Sequence, residues 1–221
     1  MTRAPFLAGR LQGFGTTVFA EMSALAVATG SINLGQGFPD EPGPGEVLDV
    51  ARAAIGTGHD QYPPGPGLPE LRTAVAEHQQ RFRGLAYDPD TEVLVTAGAT
   101  EALTAALLAL VEPGDEVVTF EPMYDSYGAA VAMAGGVVRA VPLRPPAAGT
   151  GPWEFDEAEL RAAVTPRTRL LLVNTPHNPT GTVLDAAELA LVAEVARDAD
   201  LLVLTDEVYE HLVFDLSLIH I

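Results

Sequence analysis

Two short apolar runs, each ending abruptly in polar residues, constrain the fold of this chain more than any other feature. The first run, 170–173, continues into the polar segment 174–181, and the second, 201–204, continues into 205–210. Buried parallel strands have this pattern, because both faces of the strand are covered and polar groups appear at its carboxyl end. The segment 185–199 between them carries apolar residues at helical spacing. We therefore predict a strand–loop–helix–strand unit whose two polar ends line one crevice.

Similar alternation of strand and helix patterns extends towards the N-terminus. Five segments have strand patterns: 93–96, 116–120, 137–141, 170–173 and 201–205. Helical patterns separate most of them, which predicts an α/β fold with a mostly parallel sheet covered by helices. The predicted helices are 18–28, 47–55, 69–83, 101–111, 124–134, 156–164 and 185–199.

The charge of the chain excludes several partners. Thirty acidic and 12 basic residues give a formal net charge of -18. Such a field repels nucleic-acid phosphates and anionic membranes, so we expect neither as a partner. The sequence has no cysteine, no leader-type apolar segment and no apolar run of membrane-spanning length. We expect a cytoplasmic protein with no metal site.

All 12 basic residues are arginines, so the chain contains no lysine. A strand ending in Asp206-Glu207 could present a magnesium ligand in a nucleotide hydrolase, but the phosphate loop of that class requires a lysine. A dinucleotide-binding fold requires three spaced glycines, and Gly13 and Gly15 lack the third, because Val18 stands in its place. The sequence argues against both classes.

The polar residues at the predicted strand ends suit a different ligand. The turn 98–100 lies between a strand and a helix, where backbone N–H groups and the helix dipole favour an anion. Asp206, at the end of a buried strand, requires a cation or a hydrogen-bond donor. Asn178 and Tyr209 offer donors, and Tyr124 offers an aromatic face. Together these groups would accommodate pyridoxal phosphate.

Three motifs carry a resemblance to a known family: 33–39 (NLGQGFP), 174–181 (NTPHNPTG) and 206–210 (DEVYE). In combination they resemble the fold-type-I pyridoxal-phosphate aminotransferases of class I/II, over roughly residues 16–215. The chain is most similar to the group of kynurenine–oxoglutarate, methionine and N-succinyldiaminopimelate aminotransferases. The resemblance implies a three-layer large domain, pyridoxal phosphate as cofactor, and transamination between an amino acid and a 2-oxo acid.

The resemblance also implies roles for the residues around the cofactor ring. Asp206 would pair with the protonated pyridine nitrogen and raise its pKa. Asn178 and Tyr209 would hydrogen-bond the phenolic oxygen, and Tyr124 would stack on the ring. The bond between Asn178 and Pro179 is cis in relatives. His177 is expected to be a loop residue and neither a base nor a metal ligand.

Further positions are implied for the phosphate and the substrate. Ala99 and Thr100 would bind the phosphate, and Tyr62 would reach it from a second subunit, which implies a homodimer. Gly37 and Phe19 correspond to positions of the amino-acid pocket. A structural alternative stays open for two of them, since Phe19 could pack the N-terminal arm and Tyr62 lies in a Pro/Gly-rich loop.

The chain departs from the family pattern in one respect. Family members have a catalytic lysine that forms the Schiff base and moves the proton, and this chain contains no lysine. We expect an N-terminal fragment with an arm at 1–45, a truncated cofactor domain at 46–215 and a non-native tail at 216–221. Its strand 93–96 would lack partners encoded later, so we expect aggregation, no catalysis and weak cofactor binding without an imine. The alternatives are a cysteine-conjugate β-lyase and a non-catalytic binding module.

Overall fold

The computed structural model describes residues 6–35, 37, 41–59, 61–147 and 149–213. They form two compact units: residues 15–96, and the described parts of 1–14 and 97–221. The domain boundaries expected after residues 45 and 215 remain predictions.

The described residues of the unit 15–96 form three helices: α1 (Val18–Thr29), α2 (Gly45–Ala54) and α3 (Pro69–Arg83). Helix α3 has the predicted bounds, because Pro69 suits a first turn and Gly84 adopts the left-handed conformation, φ 69°, that ends the helix. Helices α1 and α2 lie within two residues of their predicted ends.

The predicted strand 93–96 is wrong. The segment has no ladder with any described strand, and its Val95 N–H donates instead to the carbonyl of Pro66, a loop residue, at 2.9 Å. An apolar run becomes a strand only where a neighbouring strand takes up its backbone hydrogen bonds, and the local sequence does not contain that information.

In its described residues, the other unit contains the four remaining predicted strands, four α-helices and a short 3-10 helix, Gly9–Leu11. The strands β1 (Glu116–Glu121), β2 (Val137–Pro142), β3 (Thr168–Asn174) and β4 (Leu202–Asp206) form one parallel sheet in the order β2-β1-β3-β4. The helices are α4 (Ala99–Leu110), α5 (Asp125–Ala134), α6 (Glu157–Ala163) and α7 (Ala186–Asp198).

Helices cover both faces of this sheet, which confirms the three-layer α/β fold. On one face, side chains of α4 and α5 pack against Val117, Leu170 and Leu172. On the other, side chains of α6 and α7 pack against Val118 and Leu171. Alternate residues of the central strands β1 and β3 thus enter opposite cores, and these two strands are buried on both faces, whereas the outer strands β2 and β4 are mostly exposed.

The strand order places the polar residues at one edge of the sheet. From β1 the chain moves outwards to β2 and then returns to β3 on the other side, so the order reverses between β1 and β3. Parallel sheets bind ligands at the carboxyl ends of their strands near such a reversal. Asn174 and Asp206 end β3 and β4 in matching register.

None of the described helices is long and apolar enough to span a membrane.

Candidate active site

A pocket lies at the carboxyl ends of β3 and β4, beside the starts of α4 and α5. It contains about 590 Å³ of space, including the part open to solvent. Asn178 follows β3, whereas Tyr209 follows β4, so the two polar strand ends line one crevice as predicted. The lining residues are Ala97, Gly98, Ala99, Thr100, Leu103, Tyr124, Tyr127, Asn174, Asn178, Asp206, Val208 and Tyr209.

Asp206 supplies the only charged side chain among these lining residues. Its side chain is buried, and two donors hold the carboxylate: the Tyr127 hydroxyl to Oδ2 at 2.6 Å and the Val208 N–H to Oδ1 at 3.2 Å. A carboxylate has about four acceptor positions, so these two bonds leave capacity for a cationic group in the pocket. None of the described residues that line the pocket is an arginine or a histidine that could neutralise it.

Two tyrosines at the start of α5 frame the carboxylate. Tyr124, the N-cap residue, is half-buried, and its ring meets that of Tyr127 edge-on at 5.9 Å. Burial raises the pKa of Tyr127 far above its ordinary value, and the hydrogen bond to Asp206 adds to the effect. Burial also raises the pKa of Tyr124, with smaller contributions from nearby acids. Both phenols therefore keep their protons near neutral pH.

The loop after β3 is fixed by its own hydrogen bonds. The Asn174 side chain donates to the Asp206 carbonyl at 2.8 Å and accepts from the Asn178 N–H at 2.7 Å. The Asn178 amide in turn donates to the Tyr209 hydroxyl at 3.4 Å, and the bond from Asn178 to Pro179 is cis, as expected. Asn174 thereby ties the ends of β3 and β4 together and orients the Asn178 side chain towards the pocket.

The start of α4 supplies the other polar end of the pocket. Gly98 caps the helix with φ 88° and ψ 170°, a conformation that essentially only glycine adopts. Because the first N–H groups of a helix have no intrahelical acceptor, Ala99 and Thr100 present donors at the positive end of the helix dipole. These donors make the start of α4 suited to an anion. In the same turn, the Glu101 carboxylate accepts a hydrogen bond from the Ala97 N–H.

Six of the nine residues predicted to bind cofactor or substrate thus line this pocket. The other three, Phe19, Gly37 and Tyr62, belong to the unit 15–96: Phe19 is half-buried, Gly37 is exposed and Tyr62 is fully exposed, at 101%. Gln36 and 38–39 of the first motif lie outside the described residues. The roles of all nine residues stay predictions.

His177 lies in the loop after β3 but does not line the pocket. It is buried, its Nδ1 lies 2.8 Å from the Thr180 hydroxyl, and burial lowers its pKa below the ordinary value, against an opposing hydrogen bond to the Pro122 carbonyl. Through these contacts, the buried His177 side chain packs within the loop after β3 and does not line the pocket.

Residues 29–220 match the family model described as aminotransferase class I and II. The chain belongs to this family. Among relatives, the chain is 60% identical over 206 residues to the probable N-succinyldiaminopimelate aminotransferase DapC of Mycobacterium tuberculosis strain H37Rv. This alignment covers 93% of the chain and 51% of that protein. It is 43% identical to the methionine aminotransferase of Escherichia coli K12, covering 97% of the chain and 54% of the relative.

Solved aminotransferases have the same fold. The N-succinyldiaminopimelate aminotransferase of M. tuberculosis matches with a TM-score of 0.91 and 58% identity, over 95% of this chain and 54% of that one. The aspartate aminotransferase of Thermus thermophilus with maleate matches with a TM-score of 0.84 and 36% identity, over 95% and 55% of the two chains. The chain spans about half the length of the curated relatives it matches.

Two polar residues of this pocket are not among the residues predicted from the sequence. The sequence predicts no role for Tyr127, although it stands three residues after Tyr124 and so lies on the same helix face. Asn174 belongs to the motif 174–181, but the sequence analysis predicts no role for it either. A role for Asn174 could have been inferred from its position, because an amide side chain at the end of a buried strand requires hydrogen-bond partners.

Proposed function

We propose that the protein to which this chain belongs is a pyridoxal-phosphate-dependent enzyme that transaminates an amino acid with a 2-oxo acid. One observation carries the proposal: a single pocket combines the unneutralised buried carboxylate of Asp206, an aromatic side chain and the positive end of α4. Pyridoxal phosphate has matching parts, namely a protonatable ring nitrogen, a flat ring and a phosphate. Membership of the aminotransferase family supports the assignment.

Each lining residue has a physical role in this proposal. Asp206 holds a proton on the ring nitrogen, because an ionised carboxylate in a buried site favours the cationic form of its partner. Tyr124 covers one face of the ring, Asn178 and Tyr209 donate to the ring oxygen, and the N–H groups at the start of α4 bind the phosphate. When bound, the cofactor withdraws electrons from the substrate's α-carbon and stabilises the charge left there by proton removal.

The chain itself has a more limited role. It contains no lysine, so we assign the 221 residues to cofactor binding and not to proton transfer. After incubation with pyridoxal phosphate and borohydride, peptide mass mapping should find no labelled side chain, whereas a competing amine in solution should be labelled. A stable label on any internal residue would contradict this assignment.

For the whole protein we propose N-succinyldiaminopimelate as the amino donor, since the 60%-identical relative carries that name. We also propose a cytoplasmic homodimer in which Tyr62 reaches the partner's phosphate site, and the full exposure of Tyr62 supports such a role.

Transamination by the complete gene product tests this function. With a 2-oxo acid acceptor, N-succinyldiaminopimelate should give a higher kcat/KM than methionine. Preference for methionine would overturn the substrate, and absence of amino transfer from every donor would overturn the function.

A further inference from the structure

We propose that Tyr127 is a positioning residue, whose hydroxyl holds the Asp206 carboxylate ionised and oriented for the cofactor's ring nitrogen. This inference rests on the proposed function, because it assigns a task to a residue beside the cofactor pocket. Tyr127 acts through Asp206 and not on the reacting atoms.

The contact between these two side chains is short and shielded from water. Their oxygens lie 2.6 Å apart, and Tyr127 and Asp206 are only 2% and 8% exposed. Hydrogen bonds to an ionised acceptor are shorter and stronger than neutral ones, above all where water is excluded. A buried carboxylate without donors would instead take up a proton and lose its charge. The Tyr127 hydroxyl therefore favours the ionised form of Asp206.

The direction of this hydrogen bond is fixed. The pKa of Tyr127 is raised, first by burial and then by Asp206, so the phenol remains the donor and the carboxylate the acceptor. The other titratable groups facing this pair are Tyr124, on the same helix, and Tyr209, after β4. The raised pKa of Tyr124 keeps that phenol neutral as well. Since Asp206 is the only charged residue among the described residues that line the pocket, we assign the balancing cation to the ligand.

The position of Tyr127 on α5 links two parts of the site. Tyr124 stands one turn earlier, and the two rings pack edge-on. The ring of Tyr127 also belongs to the core formed by α4, α5 and the sheet. Phenylalanine would preserve this packing and remove only the hydroxyl, so Tyr127→Phe separates the hydrogen bond from the packing.

Binding of pyridoxine 5′-phosphate to the 221-residue chain, measured by fluorescence across a pH series, tests the proposal. This probe has the ring and phosphate but no aldehyde. In Tyr127→Phe the ionised carboxylate loses a hydrogen-bond donor, so the acid limb of the affinity profile, the pH range in which affinity falls, should move up by about one pH unit. The matched control, Tyr87→Phe, removes the hydroxyl of an exposed tyrosine in the other unit and should leave the profile unchanged.

The outcomes separate a positioning role from a packing role. An unchanged acid limb in Tyr127→Phe, or an equal loss of affinity at every pH, would overturn the proposal. 3-Fluorotyrosine at position 127 keeps the hydroxyl and is a stronger donor, so it should move the acid limb down. This second variant decides the matter if circular dichroism finds Tyr127→Phe unfolded, and an unmoved limb would then overturn the proposal. Absence of saturable binding to the unmodified chain would overturn the proposed function and this inference with it.

Discussion

At the scale of single residues, the pocket depends on a few buried polar groups whose partners are specific. Asp206 accepts from a side chain 79 positions earlier in the chain and from a backbone N–H two residues later. Removing one member of such a set leaves the others buried without partners, which costs more free energy than the hydrogen bond itself contributes. Substitutions in this pocket should therefore differ in their cost to the free energy of unfolding, according to whether the remaining buried polar groups keep hydrogen-bond partners.

Asp206→Ala should lower the free energy of unfolding by about 1–3 kcal/mol, because it leaves the Tyr127 hydroxyl buried without an acceptor. Asp206→Asn keeps an acceptor oxygen in place and should cost less than about 1 kcal/mol. Urea unfolding of both variants measures the difference. Equal destabilisation by the two changes would mean that the hydroxyl does not depend on Asp206.

His177 should make the fold sensitive to mild acid. Its pKa is lowered in the folded state by burial, so the unfolded chain binds the proton more readily. The free energy of unfolding should therefore fall as the pH drops from the unfolded value of about 6.5 towards the folded pKa. Urea unfolding at about pH 7.5 and about pH 5.5 should give a smaller decrease in His177→Gln than in the wild type. The exposed control, His59→Gln, should retain the wild-type decrease; equal decreases in all three chains would contradict the prediction.

At the scale of helices and strands, local sequence patterns predicted most elements correctly. They failed where the structure of a segment depends on contacts with residues distant in the sequence. Helix α3 and the cap of α6 by Asp156, whose side chain accepts from the Glu159 N–H, follow from short-range chemistry. The segment 93–96 does not, since a strand depends on a neighbour that the local sequence does not contain. Tyr127 was missed for the same reason, because the sequence alone does not reveal that its acceptor lies on β4.

The start of α4 should be intolerant of any side chain at Gly98. With φ 88°, Gly98→Ala should cost about 1–3 kcal/mol in unfolding free energy and weaken pyridoxine 5′-phosphate binding, because the anion-facing N–H groups would move. A Cβ added at the control position, Gly13, would likewise meet no atom of the described residues within 4 Å, but φ there is not in the left-handed range, so Gly13→Ala should change stability by less than about 0.5 kcal/mol. Similar costs for both changes would contradict this account of the turn.

At the scale of the whole molecule, the sheet leaves an apolar edge exposed. Among the described residues β4 pairs only with β3, and its Leu202 and Val203 are 42% and 45% exposed. Unpaired apolar edge strands pair readily with other chains, so we expect the chain to self-associate.

Val203→Lys should increase the monomer fraction, because a charged side chain on an edge strand opposes pairing with another chain. Sedimentation velocity at several protein concentrations measures this fraction. Arg169→Lys, at an exposed position of β3 that already carries a positive charge, is the matched control and should leave it unchanged. Equal association of all three chains would place the contact elsewhere.

Calorimetric titration of the 221-residue chain and of Asp206→Asn with pyridoxine 5′-phosphate tests the central claim most directly. The claim is that Asp206, which ends β4 and accepts a hydrogen bond from Tyr127 of α5, gives this pocket its affinity for a protonated ring nitrogen. We expect saturable binding to the unmodified chain near neutral pH and at least about tenfold weaker binding to Asp206→Asn, with both chains folded. Equal affinities of the two chains, or no binding to the unmodified one, would contradict the claim.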